Sequence, residues 1–400
     1  MKNLYVFLIS LIAFNQANAQ NWTILNSGTV KALSSVYFPA PDTGYICGEG
    51  GTMLKTINGG TNWTISTPGS SAWLHSVYFL DTKTGWTAGE NGILLKTIDG
   101  GSNWNPTILN PWFYKITSIY FPTTDTGYLV AANTPGGGGV IERSTNGDYF
   151  LPTPYGTYTS WLECVNFPVV TTGYTVGDSG AIIKTTDGWL NWLVQTSGTM
   201  QHLYSVYFTD INTGYAVGDS GVILFTSNGG NNWVKQVSGT VNSLKSVYFP
   251  SIAVGFIAGD NGTILGTSDG GQDWAIEPSG TLKNLYSVHF TDMNTGYAVG
   301  DSGIILKTTN AGGVGITESS SALKPLKIYP NPAHDEVTIE SSGITGNTYL
   351  SISDVNGAEL KVMKVINNRT RIDIRDIPSG VYLMRLQNEK IVEVGKIIKE

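Results

Sequence analysis

The sequence predicts an all-β chain: a seven-bladed β-propeller closed by its own N-terminal strand, followed by a small C-terminal β-sandwich. Three observations carry this. The phrase Ser-Val-Tyr-Phe recurs along most of the chain at a near-constant interval. Between its copies stand Gly-rich tetrads of the kind that turn one short strand back on the next. The composition, with 49 glycines, 11% aromatic and 13% charged residues, suits short strands and tight turns better than helices.

The repeat fixes the count. Ser-Val-Tyr-Phe stands at 35–38, 76–79, 205–208 and 246–249, with variants at 118–121, 164–167 and 287–290. Its closing Phe falls at 38, 79, 121, 167, 208, 249 and 290, at gaps of 41, 42, 46, 41, 41 and 41 residues. Each repeat holds four β-like segments. In the fifth, Ser-Val-Tyr-Phe leads to Thr213–Val217, then to a Gly218-Asp219-Ser220-Gly221 turn and the apolar run Val222–Phe225. A second turn, Ser227-Asn228-Gly229-Gly230, leads to Trp233 and the last segment. Four short strands every ~40 residues describe one propeller blade.

The ends point to a ring. A Trp follows the second turn at 63, 104, 192, 233 and 274, and Phe150 takes its place in repeat three. Repeat seven lacks one, yet Trp22 stands alone before repeat one, at the interval from Ser35 that separates Trp63 from Ser76. The N-terminal segment 21–26 is therefore expected to supply the fourth strand of repeat seven, removing free sheet edges.

The boundaries are 1–19 for a signal peptide, 20–313 for the propeller, 314–325 for a linker and 326–400 for the C-terminal domain. Lys2, the apolar run Leu4–Phe14 and Ala17-Asn18-Ala19 form the signal peptide, too short to span a bilayer. No later stretch is apolar enough to do so. Cys47 and Cys164 fall on strand positions of different repeats, so two buried thiols are expected rather than a disulfide. No metal-ligand spacing or cofactor motif is present, and His75, His202, His289 and His334 are scattered. A net charge of -7 disfavours nucleic acid.

The second turn, as in Thr97-Ile98-Asp99-Gly100-Gly101-Ser102-Asn103-Trp104 and Thr267–Trp274, resembles the Asp-box of sialidase-like and sortilin-like propellers. The whole unit, with Thr-Gly-Tyr and Gly-Asp-x-Gly, is similar to the photosystem II assembly-factor type of propeller repeat over about 21–313. Lys327-Ile328-Tyr329-Pro330-Asn331-Pro332, Ile377–Leu383 and the basic end Lys396–Lys399 resemble the type A C-terminal sorting domain of the type IX secretion system. That resemblance implies a partner, the type IX machinery acting through 326–400. It also implies a place: secreted, or on the outer cell surface of a Gram-negative bacterium.

Carboxylates that recur in every repeat read as turn formers. The exceptions include Glu142 and Glu163, the candidate catalytic pair if the chain were a glycosidase, which needs two facing carboxylates. The sialidase resemblance implies three substrate-holding arginines, and the propeller has one, Arg143. Binding is the better reading. Six turn carboxylates, Glu49, Glu90, Asp178, Asp219, Asp260 and Asp301, are expected on the face that carries the connections between blades, where they favour a cationic partner. Repeat three departs from the pattern. Its first turn is Asn133–Gly139, and the connections around it are aromatic: Trp112, Phe113 and Tyr114 before, Tyr155, Tyr158 and Trp161 after. With Trp73 these form the candidate ligand-binding surface for a glycan or protein. The sequence thus reads as a surface binding or scaffold module, with a polysaccharide-acting glycoside hydrolase as the alternative.

Overall fold

The computed structural model describes residues 22–66, 68–107, 113–133, 138–188, 190–311, 326–341, 344, 348–354, 359–387 and 392–400, with only the backbone of 113–114, 133, 153–158, 359, 387, 392 and 394. The signal peptide and Trp112 lie outside the described residues, as does the 314–325 linker. The chain divides into two units, Met1–Gly315 and Ile316–Glu400.

Among its described residues the first unit holds seven four-stranded antiparallel sheets. The fifth repeat gives Leu203–Phe208, Gly214–Gly218, Ile223–Thr226 and Val234–Gln236, hydrogen-bonded in that order. The seventh takes three strands, Leu285–Phe290, Gly296–Gly300 and Ile305–Thr308, from repeat seven. Its fourth is Thr23–Leu25, with Thr23 opposite Lys307 and Leu25 opposite Ile305.

The turn chemistry explains the hairpins. In Gly218-Asp219-Ser220-Gly221 both Ser220 and Gly221 adopt positive φ, 56° and 68°, and the N–H of Val222 closes the turn on the Asp219 carbonyl at 3.1 Å. In the second turn the Asp269 carboxylate accepts from the Thr267 hydroxyl at 2.7 Å and from the backbone N–H of Asp273 at 3.1 Å. The Thr267 hydroxyl in turn accepts from Gly271 N–H at 2.9 Å. The side chains thus satisfy backbone donors that a tight turn leaves open.

Packing between sheets repeats seven times. The closing Phe of each repeat meets an aromatic of its own fourth strand edge-on, as in Phe208–Trp233 at 5.9 Å and 87°. In repeat seven Trp22 fills this role, meeting Phe290 at 6.0 Å and 90°. The same Phe stacks on the ring of the preceding repeat's Thr-Gly-Tyr: Tyr174–Phe208 lie 3.7 Å apart, and Tyr297 of repeat seven lies 4.1 Å from Phe38 of repeat one. This sandwich dictates the glycine of Thr-Gly-Tyr. A Cβ on Gly214 would come within 2.5 Å of the Phe208 ring. Each first-strand Ser accepts from the next repeat, as Ser205 Oγ does from Val247 N–H at 3.2 Å and Ser287 Oγ from Val36 N–H at 3.2 Å. Cys164 stands in this Ser position, and both cysteines are free.

Repeat three differs from expectation. Strand pairing runs from Phe113 to Tyr120 and from Phe150 to Tyr158. Phe113, Tyr114, Tyr155 and Tyr158 therefore stand in strands, not in connections. The reason is local: the aromatic and β-branched run Phe-Tyr-Lys-Ile-Thr extends well, and the longer second hairpin offers partners, Asn133 opposite Phe113 and Gly139 opposite Tyr158.

In the second unit Lys327–Tyr329, Glu336–Glu340 and Arg369–Asp373 form one sheet. Glu359–Val365, Thr348–Asp354, Gly380–Gln387 and Val392–Lys399 form another. Alternating residues of both, including Val337, Ile339, Ile372, Leu350, Ile352 and Met384, share one buried core.

Candidate binding mouth

The innermost strand of every repeat carries the same irregularity. A register shift falls between its Leu or Ile and the residue two further on, from Leu33/Ser35 through Leu203/Ser205 to Leu285/Ser287. A bulge of this kind reverses the in–out alternation once. Residues three apart, such as Tyr204 and Tyr207, are thereby turned toward the same side. The inner strands present two tiers: one at the bulge (His75, Glu163, Tyr204, Lys245 and Tyr286 among them) and one at the third position of Ser-Val-Tyr-Phe.

The first tier meets the turn carboxylates. In six repeats the first residue of the turn donates its N–H to the carbonyl just before the inner strand; examples are Asp178 to Trp161 at 2.9 Å and Asp219 to His202 at 2.9 Å. This ties turns and connections to one face. The side chains follow. Glu90 lies 3.6 Å from His75, Asp260 3.7 Å from Lys245, and Asp301 accepts from the Tyr286 hydroxyl at 2.7 Å. Asp219 accepts from Ser243 Oγ at 2.7 Å, and Lys245 Nζ sits 3.6 Å from the Tyr204 ring centroid.

At the centre of the charges is Glu163. His202 lies between it and Asp178, with Nε2 3.4 Å from Glu163 and Nδ1 3.4 Å from Asp178. Burial works against a charged His202, but the two carboxylates outweigh it and its pKa stands above 6.5. Burial likewise opposes ionised Glu163, yet His202, Lys115 and His75 hold its pKa below the usual value. His75 goes the other way: burial, with Lys115 nearby, pushes it down to about 4. So the surroundings favour the charged form of His202 and disfavour that of His75.

The sequence candidates separate here. Glu163 is in the mouth. Glu142 is not: it is 0% exposed, at the position of the third strand where Leu54, Leu95, Ile183, Leu224, Leu265 and Leu306 stand in the other repeats. Neither of its oxygens has a hydrogen-bond partner among the described residues, and burial pushes its pKa up to about 8. Among those residues no interaction joins it to Glu163. Trp73 is half-buried, donates from its indole to Ser34 Oγ at 2.7 Å and stacks on His75 at 5.8 Å. Trp161 is 46% exposed on the same face. Beside it, a cavity of about 540 Å³ is lined by Ser160, Ser179, Gln195 and Met200. Sequence reading missed the meeting of His75, Lys115 and His202 around Glu163. The available signal was that His75 and Glu163 occupy one column of the repeat, two residues before its Val.

Comparison with known proteins settles the family. The photosynthesis system II assembly factor YCF48 family matches residues 14–114, 157–240 and 235–309, more than half of the chain. The chain belongs to the YCF48 family. The match leaves out 115–156, most of the divergent third repeat. Solved structures agree on a propeller fold. A YCF48 bound to D1 peptide superposes with a TM-score of 0.62 at 21% identity, over 72% of this chain and 97% of that one. YCF48 from Cyanidioschyzon merolae gives 0.62 at 19%, over 72% and 98%. The GH74 xyloglucanase from Xanthomonas campestris gives 0.58 at 11%, over 80% and 59%. A search of curated proteins found no match. Residues 327–400 match the secretion system C-terminal sorting domain, which marks this YCF48-family propeller as an exported protein, secreted or on the cell surface. No helix among the described residues is long and apolar enough to cross a membrane.

Proposed function

We propose that the mature protein is a seven-bladed ring, sealed by strand Thr23–Leu25 and made of Asp-box repeats, that binds a basic segment of another protein at its mouth. The leading supporting observation is the convergence of turn carboxylates and inner-strand residues on one face, around Glu163, Asp178 and His202. The pairing of Thr23 with Lys307 and the stacking of Tyr297 on Phe38 support closure. The carboxylates of that face, Glu49, Glu90, Glu163, Asp178, Asp219, Asp260 and Asp301, outnumber its lysines, Lys31, Lys115, Lys245 and Lys283, and long-range attraction favours a cationic partner. A peptide-bound relative of the same fold supports a peptide over a sugar. The exported chain loses residues 1–19 and reaches the surface through the type IX machinery acting on 326–400. Binding, rather than glycoside hydrolysis, is the reading favoured by a Glu163 already engaged by His202 and a Glu142 sealed in the interior.

The test is a peptide array of basic, neutral and acidic sequences, run beside a glycan array, with mature residues 20–400. Saturable, salt-sensitive binding of basic peptides that is lost in Glu163→Gln with Asp219→Asn supports the mouth. Glycan binding lost in Trp73→Ala with Trp161→Ala would replace the peptide reading with a lectin at the same face.

A further inference from the structure

The second tier of inner-strand residues is aromatic. Tyr37, Tyr78, Tyr120, Tyr207, Tyr248 and His289 occupy it, and neighbouring rings touch: Tyr37–Tyr78 at 4.9 Å, Tyr78–Tyr120 at 5.4 Å, Tyr207–Tyr248 at 5.2 Å, Tyr248–His289 at 4.7 Å and His289–Tyr37 at 5.0 Å. The chain of contacts breaks at one place, between Tyr120 and Tyr207, where repeat four carries Asn166. The Asn166 carbonyl oxygen is occupied, accepting from Phe208 N–H at 3.2 Å. The contact of His289 in repeat seven with Tyr37 in repeat one turns the succession back on itself, toward a common centre. Tyr37 in fact lies within electrostatic range of Tyr120, Tyr207 and Tyr248 across the collar.

Three of the five hydroxyls are tied to the wall. Tyr78 donates to the Phe121 carbonyl at 2.8 Å, Tyr120 to Phe167 at 3.2 Å and Tyr207 to Phe249 at 3.0 Å. With those tips held by the next repeat, the rings offer carbon surface, and the five tyrosines remain partly exposed. Rings about 5 Å apart on a seven-membered circle have centroids roughly 6 Å from its centre, the reach of a cation–π contact. The sixth ring, His289, is 8% exposed and its Nδ1 has no hydrogen-bond partner among the described residues. Its burial pushes the pKa down to about 3, so it adds no positive charge. Three residues along the strand, roughly 10 Å away, stand the carboxylates of the mouth. The protein already uses this contact in the upper tier, where Lys245 caps Tyr204.

We propose that the tyrosine collar is a seat for an alkylammonium ion, drawn in past the carboxylates of the mouth and held against ring faces. This deepens the proposed function and rests on it only for the route of entry. Two sources share the chemistry: a free quaternary amine, or the methylated or unmodified lysine of a bound peptide.

The experiment uses the mature chain, residues 20–400, titrated calorimetrically with tetramethylammonium and, separately, with short peptides bearing lysine or Nε-trimethyl-lysine. Saturable binding of tetramethylammonium is expected. It should persist in Tyr207→Phe, which keeps the ring, and weaken roughly tenfold or more in Tyr207→Leu. Intermolecular NOEs from the tetramethylammonium methyl protons to tyrosine ring protons in the unsubstituted protein read the same contact should the Leu variant not fold. Tighter binding of the trimethyl-lysine peptide than of either the lysine peptide or the free ion identifies the peptide source. Equal affinity for the free ion and the peptide identifies the small amine. Absence of any tetramethylammonium binding, or binding without ring NOEs and untouched by Tyr207→Leu, overturns the collar. If basic peptides bind through Glu163 while tetramethylammonium does not, the mouth stands and the collar falls. Collar-dependent tetramethylammonium binding without basic-peptide binding gives the reverse.

Discussion

Replacing Glu142 by Leu should stabilise the propeller, and by an amount that depends on pH. The side chain is 0% exposed, in a column otherwise filled by Leu and Ile, and burial lifts its pKa from 4.5 to about 8. Below about pH 4.5 the carboxyl is protonated in both folded and unfolded chains and its titration does not affect stability. As pH rises from there to about 8, the unfolded chain releases a proton that the folded one keeps, so stability falls by about 1.4 kcal/mol for each pH unit. Above about 8 both forms are ionised and the loss is complete. Relative to the native protein, Glu142→Leu should therefore gain about 1 kcal/mol at pH 5, roughly 3 at pH 7 and about 4 at pH 8, to order of magnitude. Relief of two unpartnered oxygens adds a pH-independent term of about 1–3 kcal/mol. Urea unfolding of native and variant chains at these three pH values, followed by tryptophan fluorescence, measures the difference directly. A difference that stays flat from pH 5 to 8, or a variant less stable than the native chain, would refute the reasoning. Either result would mean that the carboxylate is solvated or paired.

Gly214→Ala should destabilise by about 1–3 kcal/mol, because the new Cβ drives into the Phe208 ring at 2.5 Å; the midpoint of denaturant unfolding reports it. Trp22→Ala should cost about 3–5 kcal/mol, since Trp22 is wholly buried against Phe256 and Phe290. Thermal unfolding is the assay, and a chain starting at residue 27 should lose more, because it gives up the strand pairing with Ile305–Lys307 as well. Glu163→Gln should lower the titration midpoint of His202, read from imidazole NMR shifts. In the native chain the raised His202 pKa contributes stability that is complete below about 6.5 and fades as pH rises through the folded value. The variant should lose most of that dependence.

Much of the architecture was legible because the repeat writes each structural role seven times. The position of Trp22, the Gly of Thr-Gly-Tyr and the turn carboxylates could each be read by comparing columns. The site was less legible for the same reason. The mouth draws on two columns that vary, Ser34, His75, Thr117, Glu163, Tyr204, Lys245 and Tyr286, and two residues earlier Ala32, Trp73, Lys115, Trp161, His202, Ser243 and Asn284, and a varying column looks like noise until the partner strand shows the bulge. The bulge itself leaves no mark: Leu-x-Ser-Val-Tyr-Phe is an ordinary strand, and its register shift appears only against the partner strand. In repeat three, aromatic residues taken for connections lie in strands because sequence gives pairing partners no fixed limit. Glu142 was noticed as a departure from the repeat, but as a candidate catalyst, because periodicity alone does not say which side of a strand is dry.

The pairing of Thr23–Leu25 with Ile305–Thr308 also sets an order of events. A chain made and exported from its N-terminus presents the first of these strands almost at once, but its partner arrives only after the rest of the propeller. Until then the seventh sheet is incomplete and Trp22 has no pocket. The final clasp forms just before the sorting tail, so a chain cut short within the propeller lacks both the clasp and the address for export, and one cut within the tail lacks the address alone. Length is in this way checked twice by neighbouring segments: once by folding, with proteases as the judge, and once by the secretion machinery.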